Sequence, residues 1–212
     1  MPDKHAVLSA SSSHRWLECP PSALLCSTAG DTPSEFAMQG TDAHSLCEYR
    51  LKTALGQQSK DPTENLSFFD EEMADCSDMY AQYVMEQLAA AKEKCKDPIV
   101  LIEQRLDFSK WVPQGFGTGD CVIVADETLT VIDFKYGVGI LVEAEKNPQM
   151  MCYALGALQL FDSIYDIDSV TMTIFQPRRD NVSTYTISKE ELLKWADEVL
   201  APTAQLAAKG EG

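Results

Sequence analysis

Asp133-Phe134-Lys135 sets a carboxylate and an ammonium two residues apart, and Asp120 stands thirteen residues upstream. Alternate residues of a strand share a face, so Asp133 and Lys135 would project side by side. The surrounding segment, GTGDCVIVADETLTVIDFKYG, indicates how Asp120 would join them. Two apolar runs, residues 121–125 and 129–132, flank the polar pair Asp126-Glu127. That is a β-hairpin pattern with an acidic turn. A two-residue loop there places Asp120 directly opposite Asp133, where Cβ atoms lie about 4.5–5.5 Å apart. Like charges at that separation are destabilising unless a cation joins them. The expected patch is two carboxylates and one ammonium, which is divalent-metal chemistry with a fixed positive charge beside it. The triplet alone would not carry this reading, because isolated Asp-x-Lys is commonly a solvated strand end. A three-residue loop would put Phe134 opposite Asp120 instead.

Three more segments add reactive side chains. The stretch Gly40-Thr41-Asp42-Ala43-His44-Ser45-Leu46-Cys47-Glu48 opens a helical pattern. His44 and Glu48, four apart, share a helix face. Asn147-Pro148-Gln149 starts another helix, with Pro148 suited to its first turn; Gln149 and Tyr153 are again four apart. Near the start lies Leu8-Ser9-Ala10-Ser11-Ser12-Ser13-His14-Arg15-Trp16-Leu17-Glu18-Cys19-Pro20. Each has an ordinary alternative: a lone helical His is usually surface or core, and serines at a helix start usually cap it.

Taken in order, these segments resemble the RecB-like nucleases of the PD-(D/E)XK superfamily, and among them a phage and prophage branch. The resemblance runs from Leu8 to about Trp195 and rests on Ser-x-Ser…Cys-Pro, Gly-x-x-x-His, Gly-x-x-Asp, Asp-x-Lys and Gln-x-x-x-Tyr. No element is specific by itself; the ordered set is. The resemblance implies a restriction-endonuclease-like α/β core, with a mixed central sheet flanked by helices and an N-terminal helical extension. It implies that His44, Asp120, Asp133 and the backbone carbonyl of Phe134 bind the metal, Asp133 replacing the commoner Glu. Lys135 would act with Asp120 and Asp133 in catalysis by positioning the attacking water and stabilising the phosphate. Gln149 and Tyr153 would contact the DNA backbone or orient Lys135, with Glu48 and Glu103 as accessory acids. The implied activity is phosphodiester hydrolysis at the ends of linear DNA in phage recombination or replication. A phage recombinase or single-strand-binding protein would be the partner.

Elementary chemistry agrees with those roles. Carboxylates select hard Mg²⁺ or Mn²⁺, and an imidazole ligand favours Mn²⁺ slightly. A bound ion acidifies and orients water, and Lys135 supplies positive charge where negative charge develops. The net charge of −16 points the other way, since nucleic-acid binders usually carry a basic footprint. The rival expectation is therefore a non-catalytic acidic module that mimics DNA or binds a basic partner. Part of the acidity is local: Asp61, Glu64, Asp70, Glu71, Glu72, Asp75 and Asp78 cluster together and read as a solvated linker and helix start. Basic residues near the motifs are His14, Arg15, Lys135, Lys146, Arg178 and Arg179, and Arg178 at a strand end is a candidate phosphate contact.

Composition is that of one globular domain: 212 residues, 45% hydrophobic and 24% charged. There is no apolar run of about 20 residues and no apolar core in the first residues, so a membrane span and a secretory signal are not expected. The seven cysteines, at 19, 26, 47, 76, 95, 121 and 152, are odd in number and lack C-x-x-C spacing. They read as reduced thiols of a cytoplasmic protein. Many RecB-like nucleases carry an iron–sulfur cluster on one N-terminal and three C-terminal cysteines; with no cysteine after Cys152, none is expected here.

The elements that must position these residues follow from periodicity and caps. Helices are expected at 11–25, 35–55 and 70–94, a polar loop at 56–67, strands at 99–107, 119–125 and 128–135, a helix at 148–161, and strands at 169–176 and 183–187. Ser188 with Glu191 makes a capping box for a last helix. Residues 1–97 would form a helical part carrying His44, and 98–200 the sheet core carrying Asp120, Asp133, Lys135, Gln149 and Tyr153.

Overall fold

The computed structural model describes residues 6–28 and 34–212. Its chain begins with helices α1 (Ser13–Glu18) and α2 (Ser22–Ser27), where one helix was expected over 11–25. Pro20 and Pro21 divide them, because a proline ring disfavours helical backbone in the residue before it and removes a donor. Helix α3 (Glu35–Ala54) starts on Ser34, whose side chain accepts from the Ala37 amide. Helix α4 (Glu71–Lys94) starts on Asp70, which accepts from the Met73 amide. Both caps satisfy amides that a helix leaves unpaired.

Strands β1 (Ile99–Asp107), β2 (Phe116–Ala125) and β3 (Glu127–Phe134) form an antiparallel meander. Helix α5 (Pro148–Phe161) then crosses to β4 (Ile167–Gln176), which runs parallel to β3, and β5 (Asn181–Ser188) closes the edge antiparallel to β4. The sheet order is β1-β2-β3-β4-β5, a mixed sheet. The tip at Asp126-Glu127 has the expected two-residue register: Ala125 pairs with Thr128 and Cys121 with Ile132. Glu127 there adopts φ 65°. Ser188 and Glu191 form the capping box of α6 (Lys189–Trp195). A single wide turn at Ala196–Leu200 joins α6 to α7 (Ala201–Lys209) just before Pro202, a position where the missing proline amide disturbs regular helix bonding.

Each sheet face buries its own core. Val122, Val124, Leu129, Val131, Val170, Met172 and Ile174 pack with Trp16, α5 and the C-terminal helices. Cys121, Ile123, Ile132, Phe134 and Phe175 pack against α3 and α4 through Leu46, Leu51, Tyr80 and Val84. The result is an α/β sandwich with helices on both faces. Tyr80 of α4 is a core residue, its ring 5.3 Å from that of Phe134. Helix α5 is buried along most of its length. It lies close to β1 because Gly156 has no side chain: a Cβ there would come within 2.9 Å of Leu106 Cβ and 3.0 Å of the Leu106 carbonyl carbon. This close seat holds the middle of α5 against β1.

Candidate metal centre

Register brings three carboxylates into line. Ile102 pairs with Cys121 and Gln104 with Gly119, so Glu103 of β1 stands opposite Asp120 of β2. The β2–β3 ladder ends at Cys121–Ile132; Asp120 and Asp133 are the next residue on each strand, and the Phe134 amide there donates to the Asp120 side chain. Glu103 has φ 50° in the middle of its strand. A non-glycine residue in that left-handed region carries backbone strain, which is characteristic of functional sites.

Asp120 is the hub. Its Oδ1 lies 3.2 Å from His44 Nδ1, and its Oδ2 accepts from the Phe134 amide at 2.7 Å. Ligand atoms of His44, Glu103 and Asp120 all lie within 4.8 Å of one another, a group that could hold a metal ion. Helix α3 delivers His44, whose ring also meets Phe134 edge-on at 5.5 Å. On the other side of Asp120, Lys135 Nζ is 2.9 Å from Asp133 Oδ2. That oxygen is buried and forms no hydrogen bond of acceptable geometry, so it retains acceptor capacity for a cation. Gln149 clamps the pair: its Nε2 donates to Asp133 Oδ1 and to Tyr153 Oη at 3.1 Å each, and its Oε1 accepts from Lys135 Nζ at 3.1 Å. The Asn147 side chain, accepting from the Gln149 and Met150 amides, sets the helix start that aims Gln149. Gly117 leaves room for Tyr153, since a Cβ there would fall 2.6 Å from the Tyr153 ring.

Electrostatics separate the two aspartates. Burial works against the Asp120 carboxylate, but His44 and the Phe134 amide outweigh it and hold the group below its ordinary range. Burial, reinforced by the Asp120 charge, pushes Asp133 up despite Lys135. Burial opposes the His44 imidazolium too, yet the Asp120 charge and hydrogen bond raise it to about 9. Burial works against the Lys135 ammonium, and Asp133 more than offsets it. Burial and Asp120 push Glu103 up to about 7. This much clustered acid in a partly dry site is what a divalent cation would relieve.

His44, Glu103, Asp120, Asp133, Lys135, Gln149 and Tyr153 line one open cavity of about 680 Å³. Two residues named from the sequence lie elsewhere. Glu48 is one helical turn from His44 but pairs with Lys52 and does not line the cavity. Arg178 lies over the Tyr136 ring and pairs with Glu72 of α4 at 2.9 Å, so its guanidinium is committed outside the cavity. Phe134 enters through its amide, bonded to Asp120, and is not among the residues that line the cavity. The cavity also takes in Arg105, Phe116 and Thr118, which sequence reasoning passed over. Their signal, alternate residues leading away from Glu103 and Asp120, becomes visible only with the β1–β2 register.

Over residues 5–212 the chain matches the family described as "Protein of unknown function (DUF2800)". It belongs to that family. A solved structure titled "Crystal structure of SSO0001" is similar at 10% identity and a TM-score of 0.22, covering 88% of this chain and 84% of that one. In this DUF2800 protein the acidic cluster with His44 and the clamped Lys135 occupy the same cavity. Among the described residues, no helix is long and apolar enough to cross a membrane.

Proposed function

We propose that this DUF2800 protein is a metal-dependent deoxyribonuclease of the PD-(D/E)XK, RecB-like type. One observation carries the reading: Glu103, Asp120 and Asp133 stand in line on three neighbouring strands, with Lys135 held beside the last of them. His44, Glu103 and Asp120, with Asp133 Oδ2 behind them, would hold Mg²⁺ or Mn²⁺, the hard cations such a set selects. That ion would supply charge for the phosphoryl oxygens and acidity for a bound water.

The chain's own residues account for the rest of the chemistry. Asp120 stays anionic because His44 and the Phe134 amide favour its charged form. Lys135 holds its proton on Nζ and presents positive charge toward the cavity, where a pentavalent phosphorane-like charge would build. Gln149 fixes the rotamers of both Asp133 and Lys135, so neither must be ordered when substrate arrives. An action at the ends of linear DNA, in phage recombination and with a recombinase or single-strand-binding partner, follows from the family resemblance and belongs to the proposal. The rival reading, an acidic module that binds a basic partner, has the net charge of −16 in its favour. It leaves unexplained the strained Glu103 and the clamped Lys135.

Digestion of end-labelled linear and closed circular DNA with Mn²⁺, Mg²⁺ or EDTA tests the proposal, with Lys135→Ala as the control for contaminating nuclease. Metal-dependent loss of linear DNA alone, absent in the variant, is the expected result. Cleavage of circles too would keep the site and replace exonuclease by endonuclease. No cleavage in any metal would favour the acidic module.

A further inference from the structure

Among the described residues, Arg105 is the cavity cation that forms no ion pair. Lys135 is engaged by Asp133 and Gln149, and His44 by Asp120. Arg105 is exposed, and among the described residues no carboxylate lies within ion-pair distance of it. The nearby Asp107 is turned to the Ser109 amide, from which it accepts at 2.8 Å. What holds the Arg105 guanidinium is the Phe116 ring, whose centroid is 3.6 Å from Cζ.

Such stacking is common on protein surfaces, and there are three other cases among the described residues. Two of those cations, Arg50 and Arg178, also pair with Asp78 and Glu72. Arg105 differs in that both it and its ring line the cavity of the acidic cluster. Its position along the sheet is also defined. Arg105 pairs with Thr118, one alternate step beyond the Glu103–Asp120 position, and Phe116 lies one further step along β2. Two residues of strand span about 6.6–6.8 Å, roughly the reach from one phosphate to the next in an extended sugar–phosphate chain.

We infer that Arg105, steadied on Phe116, binds the phosphate next to the scissile one and sets the path of a nucleic-acid strand away from Glu103 and Asp120. The inference rests on the nuclease reading and deepens it. A guanidinium offers a planar fork of donors to phosphate oxygens, and stacking leaves those edges free. In a protein of net charge −16, a cation with no ion-pair partner among the described residues gives the cavity a polarity that the bulk field does not.

Fluorescence anisotropy of a labelled single-stranded oligonucleotide tests it, with the full-length protein in Ca²⁺ and across a salt series. Arg105→Ala, Arg105→Lys and Phe116→Leu are compared with wild type, with thermal melting as the control for folding. Arg105→Ala is expected to weaken binding by about tenfold and to reduce the slope of log K against log salt by about 0.7, one phosphate contact on a single strand. Arg105→Lys should restore the slope and only part of the affinity; Phe116→Leu should keep the slope and weaken binding less than Arg105→Ala. A merely structural Arg105 would leave the salt slope unmoved. Wild-type binding with unchanged affinity and slope in Arg105→Ala overturns this contact and leaves the nuclease reading standing. Failure of the wild type to bind DNA in any metal overturns both.

Discussion

The two ends of β2 and β3 are built to opposite purposes. Next to the hairpin tip, Val122, Val124, Leu129 and Val131 are buried apolar residues that cover α5. A few residues along the same strands, the carboxyl groups of Asp120 and Asp133 are buried too. Burying an apolar pair stabilises; burying like-charged carboxylates costs several kcal/mol unless something compensates. One pair of strands therefore holds both a foundation and a site that weakens it, and the second is kept for what it does. Activity and stability should then separate along the strand.

The largest effect is expected at the polar end. Asp120→Asn and Lys135→Ala should each lower DNA hydrolysis by about 10²–10³-fold or more while leaving the far-ultraviolet spectrum and the sharpness of melting unchanged. Loss of activity that merely tracked loss of folding would erase the distinction between the two ends. At the apolar end the converse holds. Leu129→Ala should cost about 2–5 kcal/mol in urea denaturation, with the specific activity of the folded fraction retained. A smaller cost, about 1–3 kcal/mol, is expected for Gly156→Ala, whose methyl would press on the Leu106 backbone. An unchanged midpoint would show that α5 is free to move off β1.

The smallest effect concerns pH. In EDTA, burial and Asp120 raise the Glu103 carboxyl from 4.5 to about 7 in the folded chain. Charging this group therefore costs more folded than unfolded. Its stability contribution is intact below pH 4.5 and is lost as pH rises through 7, by on the order of 1–2 kcal/mol after allowing for its partial exposure. Glu103→Gln should melt higher than wild type at pH 8 and alike at pH 4.5. Equal melting at both would mean the three carboxylates do not strain one another.

Legibility from sequence followed the range of the interactions. The β2–β3 tip was readable because two apolar runs bracket one short polar pair, so register and the Asp120–Asp133 juxtaposition came together. The helix starts at Asn147 and Ser188 were readable because a first-turn proline and a capping box are local chemistry. Glu103 could be named only as an accessory acid. Its place opposite Asp120 depends on the β1–β2 connection, where Phe108, Trp111 and Val112 fold inward and Gln114 takes φ 56°. No short turn motif announces that register. Arg105 was hidden for the same reason. The surroundings of Arg178 were hidden because Tyr136 and Glu72 come from distant parts of the chain.

Calorimetric titration with Mn²⁺ tests the central claim most directly. The account predicts saturable binding to the wild type, abolished when Asp120→Ala and Asp133→Ala are combined and weakened by His44→Ala or Glu103→Gln. Binding that survives the double substitution undiminished, in a protein that still folds, would contradict it.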